Sequence, residues 1–180
     1  MKSYGPLIEE KMQGFLEKAY KEGKLEMSTN DITKMIGEHL GEDSFLYWAN
    51  KNGIPVIVPG IMDGAVGSQI WMFSQNHPDF KLNIVTDGDL LSGLIFKAKK
   101  SGALMIGGGI SKHHTLWWNQ YREGLDYAVY ITTAQEFDGS DAGATPDDAV
   151  SWGKIKAEGQ NTVKIYSDAT LVFPLIVSEA

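Results

Sequence analysis

The feature that most constrains the fold is a change of pattern after Gly53, where short apolar runs begin to alternate with longer amphipathic stretches. Strand-length apolar runs separated by helical segments are typical of βαβ units, whose strands lie parallel and are covered by helices. Five such runs are present, at 54–58, 82–85, 103–106, 126–132 and 162–166. The sequence therefore predicts an α/β protein built on a parallel sheet.

Helices are predicted before this region and between its strands. Ser28 with Asp31 forms a capping box that opens the second of them. The predicted helices cover 6–24, 29–40, 43–50, 65–74, 89–100, 110–124 and 169–177. We expect a single domain over 1–180, with a helical lead-in over 1–52 and a core over 53–180 whose Rossmann-like parallel sheet carries helices on both faces.

Composition excludes several classes of function. The net charge of −7 argues against a nucleic-acid binder, because phosphate contacts require clustered lysine and arginine. The chain has no cysteine, which excludes disulfides, thiolate metal sites and a cysteine nucleophile. No apolar run approaches the ~20 residues of a membrane span, and the first residues lack the features of a signal peptide. We therefore expect a cytoplasmic protein that binds neither nucleic acid nor membrane.

Polar, glycine-rich clusters follow the five predicted strands. Because the carboxyl ends of parallel strands share one edge of a sheet, we expect these clusters to converge where α/β proteins bind ligands. Any one of them is explained by the ordinary polarity of loops, but five together favour a binding site. The clusters are Asp63-Gly64, Asp87-Gly88, Gly107 to Gly109 with Lys112-His113-His114, the stretch 136–154, and Ser167-Asp168.

The stretch 136–154 is the most informative of the five, since it carries four aspartates and one glutamate ahead of a single lysine, Lys154. An acidic loop suits a cationic ligand, and a lone lysine suggests covalent amine or imine chemistry. Thr145 and Asp148 also form part of a good helix start, which explains the aspartates there without any function. In that helix Lys154 would lie about two turns in, as a solvated surface lysine or as an amine desolvated by Trp152.

The glycine triplet and the two histidines allow more than one interpretation. Gly107 to Gly109 would let a backbone approach a phosphate at a helix N-terminus, although a tight strand-to-helix turn explains the triplet about as well. His113 and His114 are adjacent, so on a helix they point about 100° apart and cannot chelate one ion together. No metal site is predicted, and His113 gains interest only from its expected place near the acidic stretch.

Longer motifs are more specific than these patterns. The glycine triplet with Lys112-His113-His114, the segment TAQEFDGSDAGATPDDAVSWGK, and Asp168-Ala169 followed by LVFPL resemble deoxyhypusine synthase, and the resemblance runs over nearly the whole chain. It implies NAD-dependent transfer of the aminobutyl group of spermidine to a lysine of the translation initiation factor 5A precursor, in the hypusine pathway. In that reaction spermidine is oxidised to an imine, and an enzyme lysine takes over the butylimine with release of diaminopropane. The group then passes to the acceptor lysine and is reduced.

The resemblance also implies roles for particular residues. Lys154 matches the imine-forming lysine of the family, and His113 matches a residue that contacts spermidine, so both are expected to be catalytic. The residues expected at the spermidine site are Gly139, Ser140, Asp141, Asp148 and Trp152. The residues expected at the NAD site are Asp63, Gly108, Thr133, Ala134, Asp138, Asp168 and Ala169.

Two departures from the family pattern shape this expectation. The chain is much shorter than a usual member and lacks an N-terminal portion that carries part of the NAD site. Ser68 stands where some members carry a spermidine-contacting aspartate. We therefore expect the C-terminal part of a split enzyme, in a homo-oligomer or with a separate N-terminal-half chain. The alternatives are a catalytically incomplete subunit that binds NAD and polyamine, and a homospermidine synthase-like enzyme.

Overall fold

The computed structural model describes residues 5–157 and 161–179, and the chain divides after Asp89 into two compact units. The prediction of one domain over 1–180 stays a prediction. The elements are α1 (Gly5–Lys21), β1 (Glu26–Met27), α2 (Thr29–Gly37), α3 (Phe45–Lys51), α4 (Ala65–Asn76), β2 (Lys81–Leu82), α5 (Val85–Lys97), β3 (Gly102–Ile106), α6 (Ile110–Gln120), β4 (Tyr127–Thr132), a 3-10 turn (Glu136–Asp138), α7 (Pro146–Ser151), β5 (Thr162–Tyr166) and α8 (Ala169–Ser178).

The first unit is mainly helical, with two short parallel strands that pair Glu26 with Lys81. α2 begins at the predicted capping box. The Ser28 hydroxyl accepts a hydrogen bond from the Asp31 amide at 3.1 Å, and the Asp31 carboxylate accepts one from the Ser28 amide at 2.9 Å. The helix ends at Gly37, earlier than predicted. The apolar core of the first unit includes Leu16, Ile32, Phe73 and Phe80.

The segment 54–58 is not a strand, which corrects the first of the predicted strands. Its backbone bonds to side chains of α2 instead of to a neighbouring strand, as where the Val56 amide donates to Asn30 Oδ1 at 3.1 Å. Pro55 has no amide hydrogen to give to a ladder. Asp63 therefore follows an irregular loop and does not lie at the carboxyl end of a strand.

The cluster Asp87-Gly88 is part of α5, which corrects the second predicted strand end. The strand stops at Leu82, and the helix begins at Val85. Asp87 is 4% exposed, and its carboxylate accepts hydrogen bonds from the Thr29 amide at 2.9 Å and the Asn30 amide at 3.1 Å. Because these amides open α2, Asp87 stabilises the N-terminus of that helix.

The second unit is a parallel three-stranded sheet in the order β3-β4-β5, with helices in the crossovers. The register pairs Met105 of β3 with Tyr130 of β4, and Tyr130 with Lys164 of β5. Residues of α6 and α7 pack against the sheet in an apolar core that includes Met105, Leu116, Ala128 and Ala149. Parallel strands joined by helices confirm the α/β prediction, although this sheet has three strands in the described residues where five were predicted.

Candidate active site

Three of the predicted clusters lie at one edge of the sheet in the second unit. The glycine triplet follows β3, the stretch 136–154 follows β4 after residues 133–135, and Ser167-Asp168 follows β5. Since the three strands are parallel and adjacent, their carboxyl ends present these residues along the same edge. In α/β proteins, ligands bind at this edge of the sheet.

The glycine triplet is a tight turn that fits against the acidic loop, which we define as residues 136–145. Gly107 and Gly109 have positive φ angles of 79° and 83°, which residues with side chains rarely adopt. A Cβ added to Gly108 would lie 2.4 Å from both Cα and Cβ of Ala142. Close approach between the turn and the loop therefore accounts for the triplet without a bound phosphate.

α7 begins as predicted, at the end of the acidic loop. Thr145 is the N-cap, and its hydroxyl accepts a hydrogen bond from the Asp148 amide at 3.2 Å. The Asp148 carboxylate accepts in return from the Thr145 amide at 2.8 Å. Hydrogen bonds from the Thr145 amide and then from the Thr145 hydroxyl to this carboxylate lower the pKa of the Asp148 carboxyl. Asp148 is thus engaged as a helix cap, and its contact with spermidine stays a prediction.

Lys154 lies beyond α7 and not two turns into it, which corrects its predicted position. The helix ends at Ser151, and Gly153 then turns the chain with a φ of 68°. The Lys154 amide donates to the Ala149 carbonyl at 2.8 Å, and the Lys154 carbonyl accepts from the Leu125 amide at 3.0 Å. The backbone of Lys154 is therefore fixed between α7 and the segment that leads into β4.

The side chain of Lys154 is buried against aromatic rings. The residue is only 8% exposed, so the surface-lysine interpretation is wrong. Its Nζ lies 4.9 Å from the centroid of the Trp152 ring and 5.7 Å from that of Trp117. Within residues 5–157 and 161–179, the structure gives this ammonium ring contacts and no hydrogen bond. Among these residues, the amine is therefore held by the two aromatic faces.

Lys154 shares a small pocket with three other predicted residues, His113, Asp141 and Trp152. Asp141 Oδ2 lies 3.9 Å from His113 Nδ1, and both side chains are about half exposed. The pocket has a volume of about 10 Å³, which is room for about one water molecule. Its other lining residues are Lys112, Leu116, Tyr130, Ala144, Thr145 and Ala149.

Tyr130 and Lys112 are pocket residues that the sequence interpretation missed as site residues. Tyr130 is 1% exposed, its hydroxyl has no partner among the described residues, and burial raises its pKa to about 12. Lys112 Nζ donates to the carbonyls of Asp141 at 2.6 Å and Ala144 at 3.2 Å. Burial, followed by the charge of Lys164, lowers the pKa of Lys112. The alternation of β4 was the available signal for Tyr130, since it places that side chain on the covered face.

The remaining residues of the predicted spermidine site belong to the acidic loop. Gly139 ends the 3-10 turn with a φ of 64°. The Ser140 carbonyl accepts a hydrogen bond from the Ala144 amide at 3.0 Å, which closes the loop on itself. Asp138, expected at the NAD site, accepts from the Gln135 amide at 3.3 Å. These three residues have structural duties, and their ligand roles stay predictions.

The other residues of the predicted NAD site lie at the ends of β4 and β5 or in the first unit. Asp168 is the N-cap of α8 and accepts a hydrogen bond from the Thr170 amide at 2.7 Å. Hydrogen bonds from the side chain and then the amide of Thr170 lower the pKa of the Asp168 carboxyl. Ala169 follows it as the first residue of α8. Thr133 is exposed, and the Ala134 amide donates to the hydroxyl of Thr132 at 3.1 Å.

Asp63 and Ser68 belong to the first unit. Asp63 lines an apolar groove together with Phe45 and Val58. The Ser68 hydroxyl, within α4, donates to the Gly64 carbonyl at 3.2 Å. The expected NAD contact of Asp63 stays a prediction.

Two kinds of feature are absent from the part of the chain that the structure describes. No three histidine, aspartate or glutamate side chains gather there as ligands for a metal ion. None of the helices there is long and apolar enough to cross a membrane.

The fold and the pocket define an α/β protein with a buried lysine in a pocket lined by residues of α6, β4 and α7. The family model of deoxyhypusine synthase matches residues 1–180. A curated relative from Thermoplasma volcanium, named "Probable deoxyhypusine synthase", is 55% identical over 177 residues, which make up 98% of this chain and 56% of the relative. A relative of the same name from Sulfurisphaera tokodaii is 48% identical over the same shares of both chains.

A solved structure supports the same relationship. It is described as that of a deoxyhypusine synthase from Entamoeba histolytica, and it matches with a TM-score of 0.66 and 26% identity over 96% of this chain and 52% of that one. The chain therefore belongs to the deoxyhypusine synthase family, which confirms the resemblance carried by its motifs. It spans about half the length of the curated relatives it matches, 56% of the first two.

Proposed function

We propose that this chain contributes the lysine nucleophile to a deoxyhypusine synthase. The enzyme would transfer the aminobutyl group of spermidine to a lysine of the translation initiation factor 5A precursor, with NAD as cofactor. One observation carries the proposal: Lys154 is buried among aromatic rings, has no hydrogen-bond acceptor in the described residues, and shares its pocket with Asp141 and His113. Membership of the family supports it further.

The pocket contains the groups that such a transfer needs. Unprotonated Lys154 Nζ would attack the imine carbon of the oxidised amine, so that a bond to Nζ forms and the bond to diaminopropane breaks. We assign the ammonium end of the amine to the Asp141 carboxylate and the Trp152 ring. His113, which lies 3.9 Å from Asp141, would move a proton at the leaving nitrogen.

NAD, when bound, supplies the oxidation of spermidine and the final reduction. The edge of the sheet fits a dinucleotide, because the ends of adjacent parallel strands are where α/β proteins bind such cofactors. Gly108 would act through the shape of its turn, since Ala142 fills the space beside it. The residues that we propose to hold the cofactor are Asp63, Gly108, Thr133, Ala134, Asp138, Asp168 and Ala169.

An exposed apolar face and the length of the chain support a second component of the enzyme. Leu104 and Val163 both pair with Val129 in the strand register, so the three side chains share one face of the sheet. Leu104 is 46% exposed and Val163 is 53% exposed, although faces of parallel sheets are normally covered. We propose that further copies of this chain, or a chain carrying the remainder of the family's length, cover this face in a cytoplasmic enzyme.

A label-transfer assay with the complete enzyme tests the proposed function. The chain is combined with any encoded N-terminal-half chain, NAD, the acceptor precursor and spermidine labelled in its aminobutyl group. We expect label on the acceptor from the wild type and from Lys97→Met, which changes an exposed lysine of the helix α5. Lys154→Arg should transfer none. Failure of the wild type to label the acceptor would contradict the proposal, and label on added putrescine would indicate a homospermidine synthase-like enzyme.

The short length also favours an alternative, a subunit that binds ligands but is catalytically incomplete. Calorimetry on this chain alone separates the two possibilities. Tight binding of both NAD and spermidine without a partner would argue for a complete site and against the incomplete subunit.

A further inference from the structure

Two buried ammonium groups, one on α6 and one on β5, hold the acidic loop. Lys112 of α6 donates to the carbonyls of Asp141 and Ala144. Lys164 of β5 donates to the Gly143 carbonyl at 2.6 Å and lies 3.4 Å from Glu136 Oε1. The side chain of Lys164 is only 8% exposed, and a lysine that is this buried needs partners for its ammonium group. The Gly143 carbonyl and the Glu136 carboxylate therefore replace the water that this ammonium gives up.

Tyr166 completes the attachment of the loop to β5. Its hydroxyl donates to the same carboxylate oxygen of Glu136 that lies near Lys164. The Tyr166 hydrogen bond and then Lys164 lower the pKa of the Glu136 carboxyl. Lys164 Nζ also lies 4.4 Å from the centroid of the Tyr166 ring. Because Lys164 and Tyr166 are two residues apart in a strand, both side chains stand on the same face.

Lys164 thus reaches the two ends of the loop at once. Glu136 is the first residue of the loop, and Gly143 lies two residues before the end of the loop. A Cβ on Gly143 would come within 2.1 Å of the Gln135 carbonyl oxygen, so only glycine lets the chain close this tightly. Between these two anchors the loop carries Asp141, whose carboxylate lines the pocket.

We propose that Lys164 is a positioning residue, which fixes the acidic loop through the Gly143 carbonyl and the Glu136 carboxylate and so keeps Asp141 beside His113. The role in amine binding rests on the proposed function, whereas the holding of the loop does not. Lys164 itself is separate from the pocket lining and acts through the loop.

Hydrogen exchange measured by mass spectrometry tests the holding of the loop. In Lys164→Met we expect the loop amides of Gly139, Gly143 and Ala144, which are hydrogen-bonded within the loop, to exchange at least about tenfold faster than in the wild type. Amides of α6 should keep their protection, and Lys164→Arg should restore most of the protection of the loop. The matched variant Lys97→Met should leave the loop unchanged. Unchanged exchange in the loop, or an equal increase throughout the second unit, would overturn the proposal.

Spermidine affinity of the complete enzyme, measured by calorimetry, tests the consequence for the pocket. Lys164→Met should bind spermidine more weakly than the wild type, and Lys164→Arg should recover most of the affinity. Faster exchange of the loop with unchanged spermidine affinity would overturn the positioning role. If the wild type binds no spermidine, the proposed function fails, and the exchange experiment still decides whether Lys164 holds the loop.

Discussion

The two units use their buried polar groups in different ways. In the first unit, both carboxylate oxygens of Asp87 accept hydrogen bonds from amides at the start of α2. In the second, the Tyr130 hydroxyl is buried without a partner, and Lys154 Nζ has only ring contacts in the part of the chain described. A buried polar group without a partner costs free energy, and such groups mark sites where something else provides the partner. The contrast separates a structural carboxylate from two groups that we propose belong to a binding site.

The same contrast divides the three buried lysine side chains of the second unit. Lys112 and Lys164 donate to loop carbonyls at 2.6 Å, so their ammonium groups are committed to the structure. Lys154 lies 4.9 Å from an aromatic ring centroid and has no comparable bond among the described residues. Of the three, we therefore propose Lys154 as the reactive amine, because no such bond has to break before it reacts.

The largest expected effect comes from the structural carboxylate. Asp87→Ala should lower the free energy of unfolding by about 3 kcal/mol, because it leaves the amides of Thr29 and Asn30 without their charged acceptor. Denaturant unfolding followed by circular dichroism measures the change. Glu9→Ala, an exposed acid on α1, is the control and should change little. Equal stability of the two variants would show that Asp87 has no structural role.

Two glycine substitutions compare the units directly. Gly108→Ala should destabilise by about 1–3 kcal/mol, because the new methyl group would lie 2.4 Å from Ala142. Gly14→Ala is the matched change in α1, where no atom lies within 4 Å of the added Cβ. It should stabilise by about 0.5–1 kcal/mol, as alanine does in an exposed helix. Thermal unfolding that shifts in the same direction for both variants would contradict the packing of the turn on the acidic loop.

The smallest expected effect on stability comes from the unpartnered hydroxyl. Tyr130→Phe should change the free energy of unfolding by no more than about 0.5 kcal/mol, because no hydrogen bond is lost. Spermidine binding by the complete enzyme should weaken about threefold to tenfold if the amine satisfies this hydroxyl. Tyr20→Phe removes a hydroxyl that donates to Asp79 at 2.8 Å, and it should lower the melting temperature more. A larger loss of stability in Tyr130→Phe would mean that its hydroxyl has a partner in the fold.

The parts of the fold that were predicted correctly depend on residues that are close together in the sequence. The caps at Ser28 and Thr145 are local hydrogen-bond patterns, and both helices begin where expected. The segment 54–58 has the composition of a strand, yet side chains of α2 bond its backbone, and a local pattern does not contain that information. For the same reason the burial of Asp87 by amides far away in sequence was missed.

The candidate site divides in the same way. Lys154, His113, Asp141 and Trp152 were predicted from family motifs, and the structure brings them into one pocket. The helical position of Lys154 was wrong because Gly153 turns the chain after α7 ends. The sequence carries no signal that Lys164 holds the loop. Its partners lie about 20 residues earlier in the chain, and its position beside Tyr130 depends on the pairing of strands.

Reductive alkylation by butyraldehyde and cyanoborohydride, followed by peptide mapping, tests most directly whether Lys154 is the nucleophile. The reagent needs only an accessible, unprotonated amine. We predict that Lys154 is modified at least about tenfold faster than Lys112 and Lys164, because these two amines must first give up charge-assisted hydrogen bonds. Spermidine should protect Lys154 and leave the exposed Lys97 reactive. Modification of Lys112 or Lys164 ahead of Lys154, or no protection by spermidine in the complete enzyme, would contradict the assignment.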